Sequence, residues 1–223
     1  MKSLRSWIVS GVFVLIAVVA GVWLYPRLPA SVPTHWDLEG HANGWSPRWF
    51  AVALWPASIA FMAILAWLLP VISPRKFEIT PFADVYRGLM LVVQAFLLVV
   101  GVCVMLAGTG QHVPITKVTL LGAGVLLMVI GNYMGKLRKN FFIGIRSPWT
   151  LASDATWART HRFAGWLFVF AGAAWVAVSL TAAGRHVWPL VVIFVVVACV
   201  PYAYSYVVYR RVVKSGKPEG ESE

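Results

Sequence analysis

The sequence predicts an all-α polytopic membrane protein with six transmembrane helices and both termini on the inner side, and three observations predict it. The first is scarcity of charge. Charged residues make up 12% of the 223 residues and hydrophobic ones 60%, whereas an ordinary soluble domain is about 25% charged. Cutting the chain at every Asp, Glu, Lys and Arg leaves six uncharged windows, 6–26, 49–74, 88–116, 118–135, 163–184 and 186–209. A hydrocarbon core of about 30 Å is crossed by roughly 20 apolar residues of helix, and each window is of that order. The second is the placement of the cations. With six spans and an inner N-terminus, Lys2, Arg5, Arg75, Lys76, Arg87, Lys136, Arg138, Lys139, Arg146, Arg159, Arg162, Arg210, Arg211, Lys214 and Lys217 fall inside. Only Arg27, Arg48, Lys117 and Arg185 fall outside, as expected when short basic loops stay cytoplasmic. The third is the tryptophans. Trp7, Trp149, Trp157 and Trp166 fall near the inner interface, and Trp23, Trp36, Trp45, Trp49 and Trp188 near the outer one, an aromatic-belt pattern.

These observations exclude a soluble enzyme, a coiled coil and a disordered chain. A net charge of +11 would suggest nucleic acid in a soluble protein. Here it reads as topology with a secondary attraction to anionic membrane lipids, and no direct nucleic-acid partner is expected.

Taken in order, the spans are expected near 7–25, 49–72, 84–107, 115–134, 163–183 and 187–209. The first resembles a signal peptide in having Lys2 and Arg5 ahead of an apolar run. The run continues through Val22-Trp23-Leu24-Tyr25, which is long for a cleaved segment, so it is read as a retained helix. In the second span Pro56 removes a backbone donor and is expected to kink the helix. At the start of the third, Asp84 and Arg87 stand three apart and are expected to pair. Gln94, deeper in that span, is expected to hydrogen-bond to a neighbouring helix, with a place on a transport pathway as the alternative. In the fourth, Gly122 and Gly124 suit close helix packing. Cys103 and Cys199 lie in apolar windows without paired spacing and read as packing residues. By this division 1–75 is a two-helix unit with an outer loop, 76–212 a four-helix unit with an inner loop at 135–162, and 213–223 a disordered tail.

The outer loop alternates His35, Asp37, Glu39 and His41 at every second position. Extended backbone puts such residues on one face, and two imidazoles with two carboxylates are chemically adequate metal ligands. A solvated polar face and a pH-sensitive contact are the alternatives. Pro29 and Pro33 favour extended chain, and Asn43-Gly44 is a turn signal.

The inner loop is richer. Ser147-Pro148 reads as a helix cap followed by the first helical residue, starting a short interfacial helix over about 148–160. Trp157 and His161, four apart, can stack. Arg146 lies near membrane depth, where a cation needs a partner or ligand, and Asp154 and Asp84 are the candidate acids. No Walker, HExxH, GxSxG or dinucleotide motif is present, and no cofactor is expected.

The run Gly131-Asn132, Asn140, Gly144-Ile145-Arg146-Ser147-Pro148-Trp149-Thr150-Leu151, Trp157 and Thr160-His161 resembles the signature of the SdpI family of bacterial toxin-immunity membrane proteins. Ser147 departs from the more frequent Thr but keeps the hydroxyl. Pro33-Thr34-His35-Trp36 with Gly40 resembles a small domain of unknown function often fused ahead of it. The resemblance implies a multi-pass protein of the bacterial cytoplasmic membrane that confers bacteriocin resistance. Its partner would be a secreted peptide toxin, and it would signal by recruiting a cytosolic transcriptional repressor. The binding residues it points to are Asn140, Gly144, Arg146, Pro148, Trp149, Trp157, His161 and His35. The rivals are a transporter subunit, disfavoured because few polar groups interrupt the spans, and a membrane enzyme using a metal at His35, Asp37, Glu39 and His41.

Overall fold

A computed structural model of the chain describes residues 2–74, 79–181, 184 and 186–214, with nothing said of the side chains of Lys2 and Ser3. Helix α1 spans Lys2–Leu24 and leads through a short 3-10 turn into a hairpin of strands β1, Ser31–Trp36, and β2, Ala42–Pro47. There follow α2, Arg48–Ile72; α3, Ala83–Gly108; α4, Ile115–Met134; the short α5, Pro148–Ala152; α6, Asp154–Ser179; and α7, Val187–Lys214. Six of these helices are long and apolar enough to cross a membrane, and the protein is a multi-pass membrane protein. Large apolar side chains on their outer faces support that reading: Trp188 is 73% exposed and Phe170 66%, a surface that only lipid would cover well.

The helices fall into two packed groups. Helices α1, α2 and α3 contact one another, α6 packs on both α4 and α7, and α3 against α4 joins the groups. The α4–α6 contact is the most extensive, and its cause is a seam of glycines. A Cβ added at Gly131 would lie 2.7 Å from the Gly165 carbonyl oxygen, and one at Gly172 only 2.6 Å from that of Gly124. Lipid tails are as apolar as leucine, so helices associate in a membrane through such close backbone approach.

The outer segment departs from the expectation of a plain loop: it adds a two-stranded antiparallel sheet to the six helices. The chain turns at 37–41, not at Asn43-Gly44. Gly44 lies inside β2 opposite His35, where a Cβ would sit 2.9 Å from the His35 Cβ. Gly44 therefore serves close strand approach. Leu28 and Val32 anchor the hairpin against Ala51 and Gly108, and Thr116 on α4 donates a 2.8 Å hydrogen bond to the Asp37 carbonyl.

Two helix expectations are corrected. The short inner helix is not 148–160: it ends at Ala152, and α6 begins at Asp154. Ser153, extended at φ −142°, breaks the run and accepts a hydrogen bond from the Thr156 amide at 3.3 Å, with Asp154 complementing the positive end of the new helix. Trp157 is 2% exposed and belongs to the core, not to an aromatic belt. Asp84 and Arg87 do pair, at 2.6 Å. Arg75, Lys76, Arg185, Lys217 and the tail from 215 onward lie outside the described residues.

Candidate functional site

The loop between α4 and α6 is irregular in backbone yet tightly held. Asn140 is wholly buried. Its side-chain oxygen accepts from the Phe142 and Ile143 amides at 2.9 and 2.8 Å, and its amide donates to the Arg138 and Ile143 carbonyls at 2.9 and 3.0 Å. One side chain thus supplies four bonds that a helix or strand would otherwise supply to this segment.

His161 closes the second half of the loop. It is fully buried on α6, and its Nε2 accepts from the Ile145 amide at 3.0 Å. Its Nδ1 lies 2.9 Å from the Trp157 carbonyl, so Nδ1 carries the proton and the imidazole is neutral. Trp157 stacks on this ring with centroids 4.0 Å apart and planes 18° apart, and its indole N–H donates to the Leu137 carbonyl at 2.8 Å. Gly144, at φ 102°, passes directly over Nε2 of His161, where a Cβ would collide with the ring. A left-handed backbone and the close approach both demand glycine here.

The corner after Ile145 is fixed next. Ser147 caps α5 by accepting from the Thr150 amide at 3.2 Å, with Pro148 as the first helical residue. The Ser147 hydroxyl also meets that of Ser205 on α7 at 2.7 Å, and the Thr150 hydroxyl donates to the Ile145 carbonyl at 2.7 Å. Trp149 packs between Tyr202 and Tyr206, with ring centroids 5.5 and 5.0 Å away. The loop is therefore pinned to two helices at once.

Arg146 differs from its neighbours. It is exposed, and neither candidate acid is its partner: Asp154 pairs with Lys139 at 2.7 Å and Asp84 with Arg87. Its Nη1 donates instead to the Phe141 carbonyl at 2.6 Å, which fixes the guanidinium while leaving donors free. Gly144, Arg146 and Pro148 are exposed and Trp149 is half-buried. Asn140, Trp157 and His161 lie beneath them. The two groups divide the predicted binding residues into a presented edge and a buried support. Both ring nitrogens of His161 are engaged with backbone, so the arrangement offers a contact surface and no free acid–base group at this position.

At the hairpin, three of the four alternating residues gather. One ligand atom each from Asp37, Glu39 and His41 lies within 4.8 Å of the others, and such a set could hold a metal ion. His35 is not among them: its Nδ1 donates to the Asn43 side-chain oxygen. The alternation ends at Trp36, because the chain turns there and the Asp37 carboxylate accepts from the His41 amide at 2.8 Å. His35 is remote in sequence and element from the α4–α6 loop, and the structure does not bring it to the other candidates.

Ser205, Tyr202 and Tyr206 were absent from the expected set. Ser205 was in principle visible as the one serine in the apolar window 186–209, and Tyr202 and Tyr206 as an i, i+4 aromatic pair, but neither signal names its partner.

Comparison with known proteins agrees with both resemblances. Residues 136–205 match the model of the SdpI/YfhL protein family, and residues 12–60 that of a domain of unknown function, DUF1648. The immunity protein SdpI of Bacillus subtilis (strain 168) is 26% identical over 209 residues, which cover 93% of this chain and 98% of that protein. No solved structure matches.

Proposed function

We propose that this chain, SdpI-like over 136–205 behind a DUF1648 region, is a toxin-immunity protein of the bacterial cytoplasmic membrane that protects its host against a secreted, membrane-active peptide. The observation that carries the reading is the similarity to the Bacillus immunity protein along nearly the whole of both chains. The presented edge Gly144, Arg146, Pro148 and Trp149 is the contact surface, with Asn140, Trp157 and His161 as its support. His35 contributes a separate contact at the hairpin end. The role is binding without catalysis.

Charge supports an inner position for the α4–α6 loop. Arg138, Arg146, Arg159 and Arg162 are exposed there, and the hairpin end carries only Arg27, Arg48 and Lys117 among the described cations. Loops that basic stay cytoplasmic, and this supports a reading with both termini inside. This face suits anionic lipid headgroups and the acidic surface of a cytosolic transcriptional repressor, giving the protein a signalling role beside protection. A unit of residues 1–75 carries the hairpin and a unit of 76–212 the loop. The test is deletion of the gene followed by challenge with a panel of membrane-active peptides. Sensitivity to at least one peptide, restored by the intact gene, is expected; unchanged sensitivity across the panel contradicts immunity.

A further inference from the structure

A cavity of about 260 Å³ lies among α1, α2 and α3, away from the α4–α6 loop. Trp7 on α1, Ala63 and Trp67 on α2, and Tyr86 and Met90 on α3 line it, and Gln94 closes it. Trp7 and Trp67 are 44% and 53% exposed on the outer helix faces, so the mouth opens toward lipid. Gln94 lies eleven residues into α3, about 16 Å from its start at 1.5 Å per residue. Nearer the start, the Tyr86 hydroxyl donates to the Leu65 carbonyl at 3.0 Å and Arg87 holds Asp84, with Ser10 and Thr80 also on the wall. Gln94 is 0% exposed, and neither its Oε1 nor its Nε2 has a hydrogen-bond partner among the described residues. The expected interhelical bond is absent.

An unpaired carboxamide costs about 1–3 kcal/mol when buried, a cost that a partner bound in the cavity would offset. We infer that the cavity is a ligand site for an uncharged, amide-bearing hydrophobic molecule that enters from the bilayer. Turned into the cavity by rotation of its side chain, the carboxamide offers one acceptor and one donor group, and a secondary amide answers both. A hydrocarbon chain answers neither, and an ester lacks the N–H that Oε1 requires. The apolar and aromatic walls take the alkyl arms on either side of the amide. The site is independent of the immunity reading and needs no toxin.

The test uses the full chain in lipid nanodiscs and fluorine NMR of trifluoromethyl-tagged N-butylbutanamide, with equally tagged butyl butanoate as the ester isostere. Saturable binding of the amide, about tenfold tighter than that of the ester, is expected, corresponding to one well-made hydrogen bond. Gln94→Leu replaces an unpartnered group by an apolar one of similar size, so it should leave the fold intact and bring the two probes within about twofold. Ala63→Phe should fill the cavity and abolish saturable binding of both. Equal binding of the probes by the wild-type protein, no saturable binding of either, or an amide preference retained in Gln94→Leu would each overturn the proposal; the second would show a cavity holding only water or lipid.

Discussion

The α4–α6 loop and the hairpin are both polar connections between apolar helices, yet they treat their polar groups in opposite ways. In the loop, Asn140, Ser147, Thr150 and His161 are buried and bonded to backbone or to α7. In the hairpin, His35, Glu39 and His41 are exposed, and the principal anchor is apolar, through Leu28 and Val32. The comparison teaches that abundance of chemistry-bearing residues is a poor guide to which segment is built. The hairpin has the denser set of imidazoles and carboxylates, while the loop has the geometry. Internal bonding there occupies both ring nitrogens of His161, while Arg146 stays exposed beside Arg138, Arg159 and Arg162.

Substitutions can break this contrast, and the largest effect is expected at His161. His161→Ala leaves the Ile145 amide unpaired, unstacks Trp157 and opens a void, for a loss on the order of 3–5 kcal/mol. Thermal unfolding in detergent would show it, and a melting temperature close to wild type would mean that the loop does not depend on this ring. Asn140→Ala comes next, at roughly 2–3 kcal/mol, since four hydrogen bonds lose their hub. Hydrogen exchange should quicken locally at Phe142 and Ile143; unchanged protection there would refute the hub. Ser205→Ala should cost about 1 kcal/mol by removing the Ser147 contact across to α7, read from the same melts, and a loss several times larger would indicate a role beyond that contact. At the hairpin, His35→Ala should change stability by less than about 0.5 kcal/mol, as for an exposed side chain. A loss comparable to that of His161→Ala would erase the contrast altogether.

Legibility in the sequence followed the same physical line. The six helices could be read because excluding charge from a membrane span leaves a mark on every residue of a window. The Ser147-Pro148 cap and the Trp157–His161 stack could be read because both are local, within four residues. The start of α6 could not be: Asp154, Arg159 and Arg162 cut the apolar window, and a charged first turn capped by Ser153 resembles loop. Ser147 with Ser205, and Trp157 with the Leu137 carbonyl, depend on how α4, α6 and α7 come together, which no local pattern encodes. The isolation of Gln94 inverted the expectation, since a polar residue in a span is normally assigned a helix partner.

The central claim is that buried groups hold the loop while Arg146 is presented for recognition. It is tested most directly by complementing a deletion strain with Arg146→Ala and measuring survival under the peptide to which the deletion is sensitive. Because Arg146 is exposed and makes a single side-chain hydrogen bond among the described residues, 2.6 Å to the Phe141 carbonyl, the variant should insert normally and melt within about 1 kcal/mol of wild type, yet fail to protect. Full protection by that variant, at wild-type abundance, would contradict the account.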